Sequence, residues 1–398
     1  MPTGLQSNIW KYTVLLVANK RAFAAIVGAY YLTIPGVTPF WIGIFMLAGN
    51  GASFIFDIPS SYIADKIGHK EALVLSRVIM LLSTVFFLFA SNIWWLIAAS
   101  ALLSMGFAFL SGVGSAFMHE TLRALDREKD YRTVMGKVSS IGFFIPAVLA
   151  IVVPFTIDIS YQIPFLIGLV LDVVGLAAAL MLVRPPVHVR AAGTDDPSYI
   201  EVVRQGFALR YFRVAVFSSV VSALLFSTDT FRAPYQLFLG VPVIWFGIFF
   251  GTGRMLAALL LANSGKLHRM IGDLHAFQRM QIIVYGALLL VLGLVTNPLV
   301  VVAVFLFDNA LKYGLSQVSN GYKLDILRDH KFKATLLSTG HQLENILVMG
   351  TVVLIGAAIE RIGYQSTFLA VAVVFILTLV PLHLWIARRP PVIVSTVA

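Results

Sequence analysis

Cysteine is absent from this 398-residue chain. That removes disulfide frameworks, thiolate metal sites and cysteine nucleophiles. Charge is scarce as well: Asp, Glu, Lys and Arg make up 12% of the residues and apolar side chains 59%, against about a quarter and about half in ordinary soluble domains. A soluble core has no use for so much apolar surface, whereas a bilayer does. No G-x-x-x-x-G-K-S/T run occurs, and the nearest glycine-rich piece, Gly251-Thr252-Gly253, lies within an apolar segment and lacks the lysine. No nucleotide is therefore implied. Neither His341 with Glu344 nor His119 with Glu120 has metal-ligand spacing or a third ligand, so no metal, no cofactor and no catalytic residue is expected, and a membrane-embedded enzyme is set aside. No cleavable signal is read at the N-terminus, because Lys20 and Arg21 interrupt the first apolar run and no small-residue cleavage site follows. The formal charge of +10 would suit nucleic acid only if the basic residues shared one polar face. They fall instead in short connections between apolar runs, so nucleic acid is not an expected partner.

What is present is a succession of apolar runs. A bilayer-crossing helix needs about 20 mostly apolar residues, and on that ruler twelve spans are expected, at about 12–34, 40–63, 71–91, 94–118, 138–157, 162–183, 214–237, 242–263, 276–296, 298–320, 336–358 and 365–387. Basic residues collect in the even-to-odd connections, 66–70, 123–137, 184–213, 266–279 and 323–333, while the odd-to-even ones are nearly free of them, Arg361 excepted. The positive-inside rule then places both termini in the cytoplasm. The longest connection carries Pro185, Pro186, Gly193, Asp195, Asp196 and Pro197 and reads as a linker. The expected domains are thus 1–184, an N-terminal six-helix bundle, 185–213, a cytoplasmic linker, and 214–398, a C-terminal six-helix bundle.

An internal repeat supports that cut. Trp41-Ile42-Gly43-Ile44-Phe45 recurs as Trp245-Phe246-Gly247-Ile248-Phe249, and at the same offset Tyr31 matches Tyr235, Gly36 matches Gly240 and Gly68 matches Gly272. An offset that persists for so long marks two related halves. The second copy keeps the turn glycine but puts Arg269 where the first has Asp65, so the repeat is structural while its electrostatics differ.

Between the second and third spans lies FDIPSSYIADKIGHK, residues 56–70. Its tail follows G-x-x-x-D-R/K-x-G-R/K-R/K, with Ser61 in the first glycine's place, Asp65 and Lys66 in the acidic and basic places, Gly68 at the turn, and His69 and Lys70 closing it. On this motif, the twelve spans and the repeat, the chain resembles the major facilitator superfamily. The resemblance implies an all-α membrane protein with twelve transmembrane helices in two pseudo-symmetric six-helix bundles and a substrate site at the midplane between parallel repeats. It also implies a secondary transporter working by alternating access. Together with the SGVGSAF run of the fourth span, the loop looks most like bacterial efflux-type members, which makes proton-coupled export the expected activity. Gly142-Phe143-Phe144-Ile145-Pro146 in the fifth span lacks the second glycine of the exporters' G-x-x-x-G-P run and weighs against drug–proton antiport. Proton-coupled uptake, lipid or lysolipid translocation, and a receptor that moves nothing stay open.

Ionisable side chains deep in a bilayer cost about 2.5–3.5 kcal/mol each on insertion scales, so each needs a partner or a use. Lys20 and Arg21 in the first span either face a cavity or snorkel to the surface. Asp229 and Arg232 share a face of the seventh span, where Pro234 lets the helix break; Asp308 and Lys312 repeat the arrangement in the tenth. Both pairs read as proton-responsive carboxylates beside cations that could hold an anion, or as self-neutralised pairs. His341 and Glu344 in the eleventh span, Asp172 alone in the sixth, where it is either protonated or paired with a cation from another helix, and Arg254 in the eighth complete the candidate cavity and coupling residues. Gating of the inner face is expected from Asp57, Asp65, Lys66, Gly68, Lys70 and Glu120, the bland alternative being solvated helix ends. Gly106, Gly112 and Gly114 read as helix-packing positions. The expected partners are a small-molecule substrate, anionic or zwitterionic, protons and the lipid bilayer. The chain is expected to act as a monomer, as a multi-pass protein of a bacterial inner (cell) membrane.

Overall fold

The structure, a computed structural model, describes residues 3–110, 113–186, 210–327 and 333–388. All regular secondary structure among them is helical. Ten helical stretches among the described residues are long and apolar enough to cross a membrane. The last of these, within Lys333–Ala387, is two helices divided at Gly363, whose φ of 79° and ψ of 169° no helix accommodates. Adding the first span, which is broken into pieces too short to qualify alone, gives twelve spans among the described residues, as the sequence leads one to expect.

The first span is not one helix. Asn8–Asn19 ends at Lys20, which is extended (φ −84°, ψ 128°); short turn bonds such as Ala24 N–H to Arg21 C=O carry the chain to a second helical piece, Val27–Tyr31. The seventh span breaks for a legible reason. Pro234 has no N–H to donate to the carbonyl of Thr230, and Arg210–Thr230 ends at that residue before Arg232–Phe238 resumes. The other spans of the second half are Phe246–Ala262, Leu274–Leu294 and Pro298–Gly314, the last continued by Ser316–Ile326.

In the first half, Pro39–Ile67 and His69–Leu88 are joined by Gly68 alone. Ile93–Leu110 and Val113–Ala124 follow, then Tyr131–Val152 and Ile163–Leu180. Close packing uses small residues: a Cβ on Gly106 would lie 2.6 Å from Met80 Cγ, and one on Gly114 would collide with the Tyr12 hydroxyl. These two are packing positions; Gly112 lies outside the described residues.

Contacts divide the chain into two compact units, one of Met1–Ala191 with Val241–Gly251, the other of Ala192–Gly240 with Thr252–Ala398. The repeated glycines share a positive φ, Gly36 and Gly240 at 78° and 77° and Gly68 and Gly272 at 102° and 85°, although ψ differs in the second pair, 148° against −103°. In the first unit Tyr30 donates its hydroxyl to Phe87 C=O at 2.6 Å beside the Phe165 ring. In the second, Tyr235 donates to Leu292 C=O at 3.4 Å beside Phe368.

Candidate functional site

In the second unit a charge cluster forms on the seventh, eighth and tenth spans. The break after Thr230 leaves Asp229 and Arg232 adjacent, with Asp229 Oδ1 3.6 Å from Arg232 Nη1. Lys312 bridges the two acids, its Nζ 3.1 Å from Asp229 Oδ2 and 3.4 Å from Asp308 Oδ2. Gly253 brings the eighth span close to the tenth: a Cβ there would sit 3.3 Å from Asn309 Cβ. Arg254 beside it lays its guanidinium over the Tyr313 ring at 3.7 Å, a cation–π contact. Lys312 stands 4.6 Å from the centre of the Phe226 ring, which meets Tyr313 edge-on. The sequence pairs are thus one network. The network brings together three cations (Arg232, Arg254, Lys312) and two acids (Asp229, Asp308). One oxygen of each acid, Asp229 Oδ1 and Asp308 Oδ1, is buried without a hydrogen bond, as are both polar atoms of the Asn309 side chain.

A second cluster lies in the first unit. Asp172 is paired with a cation from another helix, one of the two states expected of it, and that cation is Arg21. Arg21 Nη1 meets Asp172 Oδ2 at 2.6 Å and the Thr84 hydroxyl at 3.1 Å, and Thr84 in turn donates to Asp172 at 2.5 Å. The break in the first span lets Arg21 turn inward while Lys20 is exposed. Arg77, fully buried on the third span, approaches Asp172 Oδ1 at 3.9 Å and hydrogen-bonds Asn19 and the Met80 sulfur. Sequence reasoning missed Arg77, although it meets the depth criterion that singled out Arg21. A Cβ on Gly175 would touch Ala18 Cβ at 2.7 Å and Arg77 Nη1 at 3.2 Å. Packing this tight makes the cluster a structural clamp joining the first, third and sixth spans.

His341 and Glu344 belong to neither cluster. Their side chains approach to 4.0 Å and line a separate cavity of about 390 Å³ in the second unit, together with Ser219, Gln317, Asn320 and Lys323. Lys323 was also missed, because its position at the end of the tenth span reads as an ordinary loop cation. Among the described residues no group of His, Cys, Asp and Glu is arranged to hold a metal ion.

The family model described as Major Facilitator Superfamily matches residues 12–320. The chain belongs to the Major Facilitator Superfamily. Among curated proteins it is similar to a gentisate transporter of Corynebacterium glutamicum, 25% identical over 53% of this chain and 53% of the relative; the chain thus matches about half the length of that relative. Among solved structures it is similar to the nucleoside transporter NupG, with a TM-score of 0.75 at 14% identity over 98% of this chain and 100% of that one. It also resembles a bacterial homologue of the human lysosomal transporter Spinster, with a TM-score of 0.74 at 13% identity over 97% and 96%. Identities this low establish the fold alone. The protein is an integral, multi-pass membrane protein of the superfamily.

The superfamily loop is formed around Gly68. Its φ of 102° is closed to most side chains, and His69 directly after it opens the third span. His69 Nδ1 lies 2.9 Å from Glu120 Oε2, which ties the loop to the end of the fourth span; His119 turns away to Glu128 at 3.3 Å. Lys66 is exposed, while Asp57 and Lys70 are half-buried. The Asp65 side chain lies outside the described residues. In the second copy Gly272 makes the turn and Asp273 caps the ninth span, accepting the Ala276 N–H at 2.6 Å. That bond holds the Asp273 carboxyl below the usual carboxylate range.

Proposed function

We propose that this chain is a proton-coupled secondary transporter that moves a small monoanionic solute, of the chemistry of an aromatic carboxylate, by alternating access. The observation that carries the reading is the gathering of three cations, Arg232, Arg254 and Lys312, with two acids, Asp229 and Asp308, beside aromatic rings. A carboxylate on the solute gains charge-assisted hydrogen bonds from such cations. The Phe226 and Tyr313 rings beside the cations offer apolar faces to a planar solute. The likeness to a gentisate transporter supports the same class, since gentisate is a dihydroxybenzoate anion.

Asp229 and Asp308 are the proton carriers in this reading. Each has an oxygen buried without a hydrogen bond, and protonation removes the cost of holding such a group charged. Export, with both termini cytoplasmic in a bacterial cell membrane and the chain working as a monomer, is the direction favoured by the 56–70 loop; sidedness of transport in right-side-out and inverted vesicles decides it.

The test of the solute class is transport of labelled benzoate and 2,5-dihydroxybenzoate by proteoliposomes under an imposed pH gradient. The wild type moves them. Arg232→Gln combined with Lys312→Gln lowers the rate at least tenfold, about 1.4 kcal/mol of lost stabilisation. An unchanged rate in the double variant overturns the assignment.

A further inference from the structure

The described residues that line the cavity, among them Ser219, Gln317, Asn320, Lys323, His341 and Glu344, all belong to the second unit. Ser219 precedes Asp229 by ten residues on one helix, which separates the cavity from the charge cluster by about 15 Å along that helix. Its volume of about 390 Å³ falls in the range of small-molecule pockets, about 300–1,000 Å³.

The lining is amphoteric. Lys323 and Glu344 both line the cavity, and His341, mostly exposed, stands 4.0 Å from Glu344. Ser219 is engaged with Gly340 C=O at 3.2 Å, so the charged groups and the two amides present the chemistry that a guest meets. A plain anion gains from Lys323 but is repelled by Glu344, and a plain cation meets the reverse. A solute with a carboxylate at one end and a hydroxyl donor at the other satisfies both groups. Neither residue belongs to the Asp229 and Lys312 network, so the chemistry here is independent of it.

We propose that this cavity is a second subsite for the transported solute, holding a hydroxylated monocarboxylate with its carboxylate on Lys323 and its hydroxyl donated to Glu344. The subsite rests on the reading of the chain as a carrier of aromatic acid anions and adds selectivity to it. The charge cluster takes any small aromatic acid, and the Lys323 subsite admits those that also bear a hydroxyl.

Titration calorimetry of the detergent-purified full chain tests this with 2,5-dihydroxybenzoate and benzoate as probes. The wild type binds two equivalents of the dihydroxy acid and one of benzoate. Lys323→Gln removes one equivalent of the dihydroxy acid. Glu344→Gln weakens the same equivalent at least tenfold, the scale of a hydrogen bond to a charged group, and leaves benzoate at one equivalent; it serves as the readout if Lys323→Gln proves unstable. The combined Arg232→Gln and Lys312→Gln variant keeps the Lys323 equivalent and loses the other. A wild type that binds a single equivalent of the dihydroxy acid, or two that survive both Lys323→Gln and Glu344→Gln, overturns the subsite and leaves the carrier reading standing. A wild type that binds neither acid overturns both.

Discussion

Asp172 holds two arginines in the interior of the first unit, and among the described residues none of the three side chains has another counter-ion. Removing the carboxylate strands both guanidiniums. Asp172→Asn is expected to destabilise the protein by about 3–5 kcal/mol, the usual cost of breaking a buried pair from one side, as read from thermal unfolding in detergent. Adding Arg21→Gln should recover part of the loss. A gentler residue effect sits outside the membrane. The Asp273 carboxyl titrates below its unfolded value, so its contribution is present above the ordinary carboxylate range and is lost as pH falls through the folded value. The melting difference between wild type and Asp273→Ala should hold constant from about pH 8 to 5 and shrink below about pH 4. At this scale the sequence was half legible. It named Asp172 as an acid needing a cation, but depth along a helix does not reveal which face a side chain takes, and the partners came from spans far apart in sequence.

Helices were the most legible level, because a run of about 20 apolar residues leaves a buried backbone few other ways to satisfy its hydrogen bonds. Interruptions were less so. Pro234 announces the break after Thr230, whereas Lys20 has no such chemistry, and its extended backbone follows from where the Arg21 head must go. Gly68 was read correctly as a turn, since a positive φ is the residue's own signature. A side chain there meets the left-handed penalty of about 1–2 kcal/mol, and its Cβ would also lie 2.6 Å from Glu71 Oε2. Gly68→Val is expected to slow turnover in proteoliposomes while leaving the order of preference among solutes unchanged; a changed order would take the loop out of gating.

For the molecule as a whole, the duplicated offset pointed to two related halves, and the glycines at its matched positions, 36 with 240 and 68 with 272, all take a positive φ. The charge chemistry of the two halves was not foretold. The first unit closes an acid between two arginines in dense packing, while the second spreads three cations and two acids around aromatic rings, partly accessible. Sequence could not separate them because both begin as isolated ionisable residues in apolar runs. If coupling resides in the second unit, Asp229→Asn should abolish transport driven by a pH gradient yet spare counterflow exchange of solute, measured side by side in proteoliposomes. Loss of both activities would instead mark Asp229 as a binding residue.

The single residue between Pro39–Ile67 and His69–Leu88 leaves these two long rods no slack chain to pay out. Ile67 and His69 must therefore move together, and whatever shifts His69–Leu88 also pulls on the irregular stretch 20–26, which is pinned to that helix through Arg21 and Thr84.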